Sequence, residues 1–140
     1  LVFSLPSLAA ASAYFAVVFA VGFIFGAARI VLLVPVLGEV SATAAELPFM
    51  LILSWVVCAW LRQRFSVGVT WGANIGMGVM ALALLLVAET LIGVSLLGRA
   101  LAEHVLAYAA PGPALGLGAQ LVFASFPAAQ AYLEREKAAS

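Results

Sequence analysis

Charge is what this chain has least of. Only 9% of its 140 residues are Asp, Glu, Lys or Arg, against about a quarter in ordinary soluble domains. So few charges cannot coat a folded surface of this size, which makes lipid the solvent. The six basic and six acidic residues cancel. No basic stripe can follow a phosphate backbone, so nucleic acid is excluded as a partner. Cys58 is the single cysteine, which rules out an internal disulfide and a cysteine-rich metal site. The chain also lacks a G-x-S-x-G elbow, a Walker loop and a dinucleotide-binding glycine fingerprint. With no catalytic motif legible, a non-enzyme is the favoured class.

What fills the chain is apolar: 66% of residues are hydrophobic, and the mean hydropathy is +1.23. Four runs reach the roughly 20 residues needed to cross a bilayer as a helix. They cover about 8–34, 42–61, 74–97 and 114–132. The connections, 35–41, 62–70 and 98–113, are too short for a soluble domain. Helices satisfy their own backbone in lipid and open sheets do not. The expected fold is therefore all-α, a polytopic bundle of four transmembrane helices forming one domain over 1–140. Residues 1–13 have the small, apolar look of a signal-peptide core. No basic segment precedes them and the run continues to Val34, so they read as the start of a retained helix.

Basic residues orient the bundle. Arg62 and Arg64 fall in the middle connection, and Arg135 and Lys137 follow the last run. The positive-inside rule then puts that connection and both termini in the cytoplasm, in a bacterial inner membrane. Tyr14, Trp60, Trp71 and Tyr132 fall near the same interface, where aromatic anchors belong. Under this topology the membrane charges converge on the outer half. Arg29 lies late in the first helix, and Glu46 lies in the first turns of the second, just before Pro48. Glu89 sits past the middle of the third. A carboxylate at that depth costs about 3 kcal/mol on insertion scales, so it needs a partner or a purpose. Arg29 paired with Glu46 or Glu89 is the expected buried polar site. Its functional reading is a proton-responsive carboxylate or an anion-attracting arginine; its structural reading is an ion pair that fixes helix packing.

Two further features complete the pattern. Gly22 and Gly26 form a GxxxG in the first helix, and Gly72 and Gly76 another in the third. Such ridges favour close helix approach, within the bundle or against other membrane subunits or a second copy. The connection 98–113 carries Arg99, Glu103 and His104 as a second polar cluster. Arg99 and Glu103 are spaced to pair on a helical face, and the segment suits a short interfacial helix. His104 reads first as a polar interfacial residue; it is also the one histidine able to ligate a haem or chlorophyll-type pigment. The sequence names no cofactor, and membrane lipids are the partners it guarantees. Two functions fit. The first is a non-catalytic accessory or scaffolding subunit of a larger membrane complex. The alternative is a small transporter or ion-handling protein working through Arg29, Glu46 and Glu89.

Overall fold

In the computed structural model, which describes residues 3–140, the chain is an all-α bundle. Four helices are long and apolar enough to cross a membrane: α1 (Leu5–Leu37), α2 (Glu39–Arg64), α3 (Trp71–Leu96) and, after a short helix α4 (Leu101–Ala107), α5 (Pro111–Ala139). Local chemistry marks the ends. The Ser7 amide donates to Ser4 Oγ at the start of α1, an N-cap that satisfies one free backbone donor. Pro111 opens α5 in the position where a missing N–H costs nothing. Gly38 (φ +80°) is the one residue separating α1 from α2. That positive φ turns the chain where a residue with a Cβ would be strained.

The helices form a ring in which α1 packs on α2 and α3, and α5 packs on the same two. Helices α1 and α2 are antiparallel, as are α3 and α5, while α1–α3 and α2–α5 are parallel neighbours, with both termini and the 65–70 turn at one end. The contiguous apolar core lies at that end. It comprises Ala10, Ala11, Tyr14 and Val18 of α1, Cys58 and Leu61 of α2, Val67 of the turn, Ala73, Met77, Ala81 and Leu85 of α3, and Phe123 of α5. Apolar burial supplies little net drive between helices in lipid, so close fit and hydrogen bonds must hold the ring. Close fit is supplied by Gly78, where a Cβ would overlap the Ala124 carbonyl of α5. The first-helix GxxxG is looser. A Cβ on Gly22 would meet only the Met50 methyl at 3.3 Å, and one on Gly26 would meet nothing within 4 Å.

Hydrogen bonds supply the rest. Pro127 lies inside α5 and lacks the N–H that would serve the Phe123 carbonyl four residues earlier. The Tyr14 hydroxyl crosses the bundle and donates to that same carbonyl at 2.8 Å. The two rings stack at 4.1 Å. Tyr14 is thus fully buried, and the interfacial anchor expected of it is instead an internal tie. Trp60, Trp71 and Tyr132 are exposed at this end, with Arg135 over the Trp71 ring at 5.4 Å.

Arg62 also departs from its expected place. It belongs to the last turn of α2 rather than to a connection, and it is only 4% exposed. Its Nε donates to Asn74 Oδ1 (2.6 Å), its Nη2 to the Gly68 carbonyl (2.7 Å), and both Nη atoms reach the Glu134 carboxylate (2.6 and 3.2 Å). The planar guanidinium has enough fixed donors to face three acceptors at once. One side chain therefore joins α2, α3, α5 and the connecting turn. Its charge cannot be read only as a marker of the cytoplasmic side.

Candidate functional site

The other end of the ring is open. No residue of α1 from 19 to 37 is buried. Two features loosen the helices there. Pro35 cannot donate to the Val31 carbonyl, and the backbone ahead of it widens into a π-turn at Arg29–Leu33. A second π-turn, Ile92–Leu96, ends α3. Between the splayed helices lies a cavity of about 590 Å³. All four long helices and α4 line it, and Val18, Ser54, Leu85 and Phe123 of the packed half form its floor. Its wall is largely apolar, with the charged residues set into it.

Arg29 and Glu46 meet on this wall, Nε to Oε2 at 2.6 Å. The N–H does not point along the contact, so charge rather than a directed hydrogen bond holds the pair. Arg29 Nη1 donates to Thr43 Oγ1 (3.2 Å), and Thr43 donates to the Glu39 carbonyl (2.8 Å). The pair therefore ties α1 to α2. Glu46 and Pro48 sit deeper in their helix than the first-turn position expected, because α2 begins at Glu39 directly after Gly38. Pro48 is an internal proline.

Glu89 has partners of its own. Gln120 Nε2 of α5 donates to Oε1 (2.6 Å), and the Tyr108 hydroxyl after α4 donates to Oε2 (3.0 Å). Burial, then the neighbouring Glu89 charge, pushes the Tyr108 hydroxyl up to about 12. It remains a donor throughout the physiological range. Two neutral donors therefore hold the carboxyl group without an opposing cation. Arg29 is engaged by Glu46 instead. Gln120 was legible only as a polar residue in an apolar run, and Tyr108 only as a member of an interfacial face.

Around Glu89 the cluster expected from the sequence rearranges. His104 is buried at 8% exposure rather than interfacial, and neither ring nitrogen has a partner. Its ring lies on Gly93, where a Cβ would overlap Nδ1. Its edge meets the Tyr108 ring at 5.5 Å. Arg99 lines the cavity but precedes α4, following Gly98 at φ +67°. The helical spacing that would pair it with Glu103 is therefore absent. Glu103 is exposed and does not line the cavity. Among the described residues the ion pairs are Arg29–Glu46 and Arg62–Glu134, and no three His, Cys, Asp or Glu side chains are grouped to hold a metal.

No protein-family model matches the chain, and neither a curated protein nor a solved structure is significantly similar to it. The chemistry must come from the cavity itself. Three carboxylates (Glu39, Glu46, Glu89) and two guanidiniums (Arg29, Arg99) line it, one negative charge in excess. Gln120 Oε1 is buried without a donor, because Gln120 Nε2 must face a carboxylate that only accepts. Concave apolar walls with a few converging polar atoms are the usual make-up of a small-ligand site.

Proposed function

We propose that this chain is a small solute-handling membrane protein that takes a ligand into the open half of its bundle. Arg29, Glu46 and Glu89 form its polar centre. The observation that supports this is the cavity, floored by the packed half and bringing Glu89 to its surface with no cation beside it. A structural ion pair would need no such space, and Glu89 is not in one. In the orientation read from the basic residues, the cavity opens toward the periplasm of a bacterial inner membrane.

Water access tests the reading directly. Gly26 and Gly116 both line the cavity and have open space where a Cβ would stand, so Gly26→Cys and Gly116→Cys should fold. In intact membranes both should react with a charged, membrane-impermeant thiol reagent added from the periplasmic side. Cys58, fully buried in the packed half, should not. Unreactive cysteines in protein that reacts once denatured would remove the solute-handling reading.

The accessory-subunit reading has one observation in its favour. The outer half of α1 buries nothing, and a Cβ at Gly26 would meet nothing within 4 Å, leaving a face that a helix of another subunit or a second copy could approach. If a partner covers that face, Gly26→Cys should be protected while Gly116→Cys reacts. Gentle extraction should then return the chain in fixed ratio with the partner.

A further inference from the structure

We infer that the cavity selects a primary ammonium carried on an apolar body. The inference rests on the cavity being a ligand site, and it follows from a count of unused hydrogen-bonding atoms around Glu89. The carboxylate has about four lone-pair positions. Gln120 and Tyr108 occupy two of them. Gln120 Oε1 is a buried acceptor with no donor. His104, more than nine-tenths buried on the same cavity wall, has neither nitrogen satisfied. A neutral imidazole offers one acceptor and one donor. At Glu89 and Gln120 the vacant positions are therefore acceptors, while the cavity's unpartnered donors, Arg29 Nε beside Glu46 and the Arg99 guanidinium, make no ion pair with Glu89.

Buried acceptors left without donors are costly, and a ligand that supplies N–H groups removes that cost. A primary ammonium has three donors and no acceptor, and its charge answers the uncompensated carboxylate. Quaternary ammonium brings the charge without donors. An alcohol brings one donor without charge. A carboxylate adds acceptors beside Glu89 and Gln120, where acceptors are already in surplus, which leaves it only the unpaired Arg99. The largely apolar wall, which includes Phe19 and Phe123, accommodates the rest of the molecule. Either a free amine or the headgroup of an amine-bearing lipid presents this chemistry.

The test titrates purified protein in phosphatidylcholine nanodiscs with four probes that share one phenylethyl body. They are 2-phenylethylammonium, its trimethyl derivative, 2-phenylethanol and 3-phenylpropanoate. Calorimetry should show the primary ammonium binding roughly 10- to 100-fold more tightly than any of the others, the range expected for charge-assisted hydrogen bonds. Glu89→Gln and, separately, Gln120→Met should each remove most of that preference. Gln120→Met leaves every charge in place, so it still tests the count if the Glu89 variant does not fold.

Adding phosphatidylethanolamine to the nanodiscs distinguishes the two sources. Competition with the probe, and co-purified amine lipid seen by native mass spectrometry, would identify a lipid headgroup. Undiminished probe affinity would identify a free amine. Equal or tighter binding of the quaternary, alcohol or carboxylate probe overturns the inference. So does no binding by any probe. If Gly116→Cys still reacts from the periplasmic side, only the ligand class has failed. If it does not, the ligand-site reading has failed as well.

Discussion

Removing Arg62 should loosen the packed end of the bundle by an amount that follows from its contacts. In Arg62→Ala the Asn74 Oδ1 loses its donor at 2.6 Å, and Asn74 is fully buried. An orphaned buried acceptor costs about 1–3 kcal/mol. The Glu134 carboxylate is about half exposed. It recovers hydration, so its share is about 0–1 kcal/mol. The Gly68 carbonyl keeps the Asn74 amide as a donor at 3.2 Å and adds little. A loss of about 1–4 kcal/mol is expected. Arg62→Lys should recover only part of it, because a point-like ammonium cannot face acceptors in three directions as a planar fork does. The assay is equilibrium unfolding in mixed micelles, with a double-mutant cycle against Glu134→Gln isolating that carboxylate. A loss below about 1 kcal/mol in Arg62→Ala, or a Lys variant as stable as the parent, would refute this account of the clamp.

The remaining stability predictions set the packed half against the open one. Tyr14→Phe should cost about 1 kcal/mol through the lost bond to the Phe123 carbonyl. That cost should shrink in a Pro127→Ala background, where residue 127 supplies the missing N–H; equal losses in both backgrounds would disprove the link. Gly78→Ala forces a methyl onto the Ala124 backbone, so melting in detergent should show a loss of about 1–3 kcal/mol from overpacking. Gly26→Ala, with open space at its Cβ, should leave stability unchanged or slightly raised by better helix propensity.

Length and apolarity made the four spans legible, because both are summed over about twenty residues and survive errors at any one. The ends were less so. Gly38 alone does the work expected of a seven-residue connection, and α5 extends through Pro111 at one end and charged residues at the other. Convergence of Arg29, Glu46 and Glu89 on one half could be read from depth along each helix. Which of them touch depends on helix rotation and order around the ring, which hydropathy does not encode. Arg62 and His104 were misjudged for one reason. Each lies near a helix end, where polar residues normally reach water, and each instead folds inward onto positions with little side chain, Gly68 and Gly93. A single signal was available for Tyr14: a proline inside an apolar run, Pro127, leaves a carbonyl in search of a donor. Pairing the two required the fold.

The distribution of polar ties implies which parts can move. At the packed end they join four of the six pairs of long helices. Ser7 of α1 donates to the Ala73 carbonyl of α3, Tyr14 of α1 reaches α5, Gln130 of α5 reaches the Trp55 carbonyl of α2, and Arg62 links α2 to α3 and α5. At the open end, among the described residues, the side-chain bonds between long helices join α1 to α2, through Arg29, and α3 to α5, through Glu89 and Gln120, with Tyr108 after α4 bound to the same Glu89. No hydrogen bond there crosses from one pair to the other. Without apolar drive between helices in lipid, the two pairs can part at the open end while the packed end holds them in register. Spin labels at Gly26→Cys on α1 and Gly116→Cys on α5, in a Cys58→Ala background, measure that separation. The expected distance distribution is broad, and it should narrow when a ligand bridges the cavity. Labels on Ser12→Cys and Ser125→Cys, exposed positions in the packed half, should give a narrow distribution under both conditions. Equal widths at both ends would mean the bundle is uniformly rigid, and the sparse ties at the open end would then have no mechanical consequence.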